Sequence, residues 1–324
     1  MAAAWVQALI LGVVQGLTEF IPISSSGHLV LVPYLLGWEK NSLAFDVVLH
    51  LGTMFAVLLF FRGELVAIVR GILRLDTSVQ GQIYRRVGLF IIPASVPVAV
   101  VGLLFESQVE DVFASPLTAS LLLLVTAGLL LAMEWFRHRR VKQAGGSARS
   151  PGDWSVDATP VHPGDPTDGA QVATRTPVTL LPLGVDRSDP NGSTLAELTL
   201  GQAMAAGLLQ CLAVLPGVSR SGATISAGVF AGLTREAATR FSFLLVIPAL
   251  VGATLLSLGD LGEGGETTLE LGVGIVAAFV SGYLAIRYLV ALVSRERLTG
   301  FAYYCIAASI IGLTGYAIIG PTTG

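Results

Sequence analysis

The sequence predicts an all-α polytopic membrane protein, with six transmembrane helices and two re-entrant helical hairpins in an inverted-topology repeat. Three observations carry that prediction. Apolar residues make up 53% of the 324 positions and charged residues only 13%, with a mean hydropathy of +0.74; soluble domains carry about 25% charged residues. A polar element interrupting apolar sequence occurs twice. Shifted by 195 positions, Gln7, Ala8, Gly12, Gln15, Leu17, Ser24, Ser26, Gly27 and Gly37 fall on Gln202, Ala203, Gly207, Gln210, Leu212, Ser219, Ser221, Gly222 and Gly232. Finally, basic residues gather on alternate loops.

In chain order, the first unit is a hairpin over 2–38, with limbs 2–18 and 27–38 around a polar tip. Its shorter limb falls below the roughly 17–25 residues that cross about 30 Å of hydrocarbon, which favours re-entrance. Irregular backbone at that depth requires surrounding protein or a water-filled cavity. Spanning helices follow at 44–61, 87–105 and 117–136, completing a first repeat over 1–140. Residues 141–197 are rich in Pro, Gly, Asp, Ser and Thr without apolar periodicity, and read as a disordered cytoplasmic linker. His162, Asp165 and Asp168 within it are not taken as a metal site, because such compositions lack a packed frame. The second repeat, 198–324, holds a hairpin over 198–234 (limbs 198–215 and 221–234) and spans at 241–259, 271–293 and 300–319. Three spans after a hairpin reverse the side of entry, so the second repeat is inverted relative to the first.

Charge supports this layout independently. Loops 62–86, 137–197, 233–240 and 294–299 hold 16 of the 19 Lys and Arg residues, whereas the opposite loops hold Lys40 against eight acidic side chains. The positive-inside rule makes the first face cytoplasmic and puts both termini outside. The first segment lacks a basic start and a small-residue cleavage site, so it reads as retained rather than as a removed signal peptide. Cys211 and Cys305 lie in apolar segments and predict no disulfide framework. No nucleic-acid partner is expected.

The chemistry concentrates at the two tips. In the first, Glu19 follows Gln15 by one turn, so both share a helix face. A carboxylate at this depth costs about 2.5–3.5 kcal/mol and demands a partner, a cation or a function. Ser24, Ser25 and Ser26 precede Gly27 and His28, a run suited to capping the next limb, whose free N–H groups form an anion site. A hydroxyl, an imidazole and a carboxylate together make a nucleophile, base, and metal or acid set. The second tip repeats the cap with Ser219, Ser221, Gly222 and Thr224 around Arg220, whose guanidinium suits bidentate phosphate recognition. Glu19 would repel a polyanion unless it were protonated or bridged by Mg²⁺ or Ca²⁺, and the divalent cation is the simpler answer. The bland alternatives are small residues serving helix packing and a purely structural Glu–Arg pair. Elsewhere, Asp46 and His50 (i, i+4) read as a supporting pair, Arg287 as a snorkelling side chain, and Glu134 and Arg137 as markers of a helix end.

Two motifs carry a family resemblance: Gln15-Gly-Leu-Thr-Glu19-Phe-Ile-Pro-Ile-Ser-Ser-Ser-Gly-His28 and Pro216-Gly-Val-Ser-Arg-Ser-Gly-Ala-Thr224. The chain resembles the undecaprenyl-diphosphate phosphatases, also called bacitracin-resistance proteins, over nearly its whole length apart from 141–197. The resemblance implies a bacterial inner-membrane enzyme that removes the terminal phosphate of a C55 polyprenyl diphosphate, supplying the carrier lipid of peptidoglycan synthesis. Its partners would be that lipid and the surrounding bilayer, and a homodimer is compatible with it. By the same resemblance Glu19 is the essential acid, Ser25 the nucleophile, His28 its base or acid, and Arg220 the diphosphate ligand. Gln15 stands where many members carry a second Glu, so it would reach a metal only through its carbonyl oxygen. Ser24, Ser26, Gly27, Ser219, Ser221, Gly222 and Thr224 would line the substrate. Attack by water or by His28 itself stays open, as does a lipid-phosphate transporter, since inverted repeats with midplane half-helix sites also build carriers.

Overall fold

The computed structural model describes residues 4–39, 41–104, 115–143, 192–256, 265–293 and 297–321. The expected linker, with His162, Asp165 and Asp168, lies almost wholly outside them. Among the described residues the chain is helical, apart from short 3₁₀ turns and one isolated bridge between Ser193 and Leu233. The first part contains α1 (Ala4–Phe20), α2 (Ser25–Leu36), α3 (Leu43–Phe60), α4 (Arg62–Ile72), α5 (Val79–Leu104) and α6 (Pro116–Gln143). The second contains α7 (Leu200–Gln210, prolonged by a 3₁₀ turn over Cys211–Val214), α8 (Arg220–Phe230), α9 (Arg235–Leu256), α10 (Thr268–Val293) and α11 (Thr299–Ile319).

Six of these helices, α3, α5, α6, α9, α10 and α11, are long and apolar enough to cross a membrane. They match the six expected spans, and most run further. α5 starts at Val79 and α6 continues to Gln143, because hydropathy reports the apolar part of a helix and helical hydrogen bonding does not stop at that border. α4 is an addition, since its stretch reads as a loop in the sequence. Its Arg62, Glu64 and Arg70 lower the mean hydropathy, while Ile68 and Gly71 are buried in its packing on α5.

Local chemistry sets the helix ends. Ser42 caps α3 by accepting from the Phe45 N–H, and Thr199 and Gln202 form a reciprocal capping box on α7. Gly37 closes α2 in the left-handed region, at φ 65°.

The packing exchanges partners between the two parts of the chain. α1 lies along α10, and α7 lies along α5. The approach is close in both cases because small residues face each other. A Cβ on Gly16 would strike Ser281 Oγ and the Ala278 carbonyl, and one on Gly207 would strike the Ala94 backbone. α6 and α11 pack on one another. The core thus draws on both parts, and the two short helical hairpins, α1–α2 and α7–α8, end beside each other.

Candidate active site

The two polar tips meet. Gly27 at the start of α2 packs against Gly217 of the second tip, where a Cβ on Gly27 would come within 3.1 Å of the Gly217 Cα. Gly217 itself has φ 98°, a conformation few other residues accept. Its carbonyl accepts from Thr126 Oγ1 of α6 at 2.9 Å, and the same Oγ1 accepts from the Ser219 N–H at 2.9 Å. One hydroxyl on a spanning helix therefore pins the second tip on both sides.

The repeated serines do the same job twice. Ser24 Oγ accepts from the Gly27 N–H at 3.3 Å, and Ser219 Oγ accepts from the Gly222 N–H at 3.1 Å. Each hydroxyl also faces the serine two residues on, Ser26 at 3.3 Å and Ser221 at 3.1 Å. The two helix N-termini are thereby capped in the same way, and their positive ends favour negative charge nearby. The tips differ at the cap backbone: Ser24 has φ 72° and Ser219 φ −71°. Ser24 is one of only two non-glycine residues with positive φ among those described, the kind of strain that concentrates at functional sites.

Glu19, at the end of α1, is the centre of the cluster. Its Oε1 accepts from Arg220 Nη2 at 2.8 Å, joining residues 201 positions apart. Its Oε2 accepts from Ser25 Oγ at 2.5 Å and from Gln15 Nε2 at 3.2 Å. The Glu19 side chain is 1% exposed, whereas Arg220 is 23% exposed, so the guanidinium borders open space while the carboxylate does not. Thr224 lies one turn past Arg220 and hydrogen-bonds back to the Arg220 carbonyl at 2.8 Å and to Ser242 of α9 at 2.6 Å. It locks the first turn of α8 rather than extending toward Glu19.

His28 takes a different place from the one its motif position suggests. Its Nδ1 bonds the Ser24 carbonyl at 2.7 Å and its Nε2 bonds the Tyr304 hydroxyl at 2.8 Å. Ser25 has Glu19, not His28, as its hydrogen-bonded acceptor.

His50 enters the site instead. Its Nδ1 bonds the Asp46 carbonyl at 2.7 Å, and its Nε2 lies 3.8 Å from Glu19 Oε2. The i, i+4 spacing to Asp46 hinted at this residue, but the contact runs through the Asp46 backbone and no sequence feature pointed to Glu19. Tyr304 was missed altogether. It sits in an apolar helix where a tyrosine carries no signal, and 276 positions separate it from His28.

Glu134 and Arg137 are more than markers of a helix end. Glu134 is buried and accepts from Arg137 Nε at 3.3 Å, Arg235 Nη1 at 3.1 Å and the Leu298 N–H at 3.0 Å. This carboxylate ties α6 to the start of α9 and to the turn before α11. The sequence concealed it because its partners lie 101 and 164 positions away. Cys211 and Cys305 are free thiols.

Among the described residues no three His, Cys, Asp or Glu side chains cluster to form a metal cage. A hard cation completed by substrate needs less, since Mg²⁺ is often held by one or two carboxylates together with phosphate oxygens. Glu19 is the carboxylate. Gln15 Oε1, on the residue already bonded to it, is buried and has no hydrogen-bond partner. That all-oxygen donor set fits Mg²⁺ or Ca²⁺.

Comparison with known proteins identifies the family. A family model described as bacitracin resistance protein BacA matches residues 8–153 and 172–311. A Methanobrevibacter smithii protein named undecaprenyl-diphosphatase is 36% identical over 320 residues, covering 96% of this chain and 97% of its own. Proteins of the same name from Geobacter sulfurreducens (36% identical; 93% and 94% covered) and Desulfosudis oleivorans (39%; 93% and 94%) are similar over the same extent. The matched segments include both tips and their supporting helices, and the chain belongs to the bacitracin resistance protein BacA family.

Proposed function

We propose that this protein is an integral membrane phosphatase. It hydrolyses undecaprenyl diphosphate to undecaprenyl phosphate and inorganic phosphate, recycling the carrier lipid of peptidoglycan synthesis and conferring bacitracin resistance. The observation that carries the reading is the junction of Arg220, Glu19 and Ser25, in which a cation from one tip and a hydroxyl from the other share one buried carboxylate.

The chemistry follows from that junction. On binding, Arg220 turns from Glu19 to the diphosphate, and the capped N-termini of α2 and α8 hold the remaining negative charge. Ser25 Oγ attacks the terminal phosphorus as its proton passes to Glu19 Oε2. The bond to the bridging oxygen breaks, and the prenyl monophosphate leaves with that oxygen. Water then attacks the phosphoserine, giving one proton to the regenerating Ser25 oxygen, and inorganic phosphate is released as Glu19 surrenders the proton it took in the first step to solvent or to a departing phosphate. Glu19, rather than His28, is the base for Ser25 in this scheme, because it already accepts that hydroxyl. A divalent cation held by Glu19 and Gln15 Oε1 would supply charge stabilisation on the transferring phosphoryl group.

α2, α7 and α8 are too short to span, and with α1 they are read as two re-entrant hairpins entering from opposite faces of the cytoplasmic membrane. A lipid-phosphate carrier is the less favoured reading, since the relatives are named for the phosphatase reaction and a carrier needs no hydroxyl set against a buried carboxylate. The deciding experiment is phosphate release by purified protein from a C55 diphosphate, with and without chelator. Release should require a divalent cation and fall by about 10²-fold or more in Arg220→Ala, which loses a charge-stabilising donor. Absence of release by the wild type would overturn the phosphatase reading.

A further inference from the structure

The mechanism leaves one contact of the site unused, the hydrogen bond between His28 and Tyr304. Its geometry determines more than proximity. His28 Nδ1 lies 2.7 Å from the Ser24 carbonyl, and a carbonyl oxygen only accepts, so Nδ1 carries the proton. In the neutral ring Nε2 is then bare and accepts from a donor. The Tyr304 hydroxyl stands 2.8 Å away, and the two rings stack at 11° with centroids 5.6 Å apart.

The tyrosine is itself partly exposed, and its helix is placed by its neighbours. The next residue, Cys305, is fully buried with its Sγ 3.9 Å from the Pro22 carbonyl of the first tip. α11 lies alongside α2, with Gly312 against Leu31 and Gly315 against Leu35, and Tyr34 Oη donates to the Gly320 carbonyl at 2.7 Å. At the other end of the chain of contacts is Ser24, with its positive φ of 72°. Its carbonyl receives both the His28 backbone N–H at 3.3 Å and the imidazole. A run of bonds therefore extends from α11, through Tyr304 and His28, to the strained residue immediately before Ser25.

We infer that Tyr304 is a positioning residue of this site. By donating to Nε2 it satisfies the nitrogen that the Ser24 carbonyl leaves bare and fixes the orientation of the His28 ring. Through His28 it holds the Ser24 carbonyl and so the tip that presents Ser25 to Glu19. The inference rests on the phosphatase reading for its catalytic consequence, while its structural content stands apart from turnover.

The test uses the full chain in detergent. In ¹⁵N-histidine spectra, His28 should show a protonated Nδ1 and a hydrogen-bonded, unprotonated Nε2, whose signal Tyr304→Phe should shift to that of an Nε2 without a donor while the ring is kept. In phosphate-release assays Tyr304→Phe should lower kcat about tenfold, the worth of one hydrogen bond, with KM within about twofold. In a His28→Ala background the same change should add no further loss. A wild-type spectrum with the proton on Nε2 would overturn the inference even if the variant failed to fold. Full kcat in Tyr304→Phe, or a loss that multiplies with His28→Ala, would do so too. A wild type with no phosphatase activity but the expected spectrum would count against the function and not against the contact.

Discussion

A single buried carboxylate organises the chemistry. Glu19 receives Arg220, Ser25 and Gln15 within hydrogen-bond distance, with His50 at 3.8 Å. Such a group is costly inside a membrane unless it is paired, and here each partner belongs either to the tips or to the face of α3 beneath them. Replacing Glu19 with Gln keeps the shape and removes the proton acceptor, so kcat should fall by about 10²–10⁴-fold. Ser25→Ala should retain substrate binding but lose the phosphoserine trapped by acid quench of labelled substrate. Near-normal phosphate release from Ser25→Ala would exclude the covalent route and return the attack to water. Of the residues expected to line the substrate, Ser24 and Ser219 are helix caps, and Thr224 secures α8 to α9. Their contribution is to hold N–H groups in place.

Helix pairing decides whether the tips can meet. α1 and α7 each press a glycine-bearing face onto a helix of the other part of the chain, and Gly12 and Gly207, equivalent under the 195-residue shift, both lie close against the backbone of the facing helix. A methyl group at Gly16 would collide with Ser281 Oγ and backbone atoms of α10. Gly16→Ala should therefore destabilise the protein by about 1–3 kcal/mol through overpacking, read as a lower melting temperature in detergent. Gly128 of α6 is the matched control, as nothing lies within 4 Å of its added Cβ; Gly128→Ala should leave melting unchanged or raise it. Equal losses for both would show that close contact at the seam does not set the effect, since alanine is the better helix former at either position. Apolar length betrayed these helices, but not which of them pair, because every long helix here is apolar nearly all round.

On the scale of the molecule, buried charge anchors helices that lie far apart in the chain. Glu134 joins α6, α9 and the α11 turn through Arg137, Arg235 and the Leu298 N–H, all buried or nearly so. Glu134→Ala leaves Arg235, 2% exposed, without this carboxylate and should cost about 3–5 kcal/mol. A melting temperature equal to wild type would show that the network does not hold these helices. The positive-inside bias is tested by labelling: Thr77→Cys, in the exposed turn before α5, should react only from the cytoplasmic side. Reporters fused to either end of the chain should report the exterior. Labelling of Thr77→Cys from outside would reverse the proposed orientation.

Membrane residence, six spans, two capped polar tips and the family motif were all legible in the sequence, because each is written locally in hydropathy, helix-capping residues and short spacing. Glu19, Ser25 and Arg220 stood out for the same reason: a charge or hydroxyl inside an apolar run is its own signal. The pairing of Glu19 with Arg220 across 201 positions, the transfer of His28 from Ser25 to Tyr304, the entry of His50 and the hub at Glu134 belong to tertiary structure alone. Each depends on which apolar helix lies against which. That choice is made by close packing of small residues, a matter of shape that hydropathy does not encode.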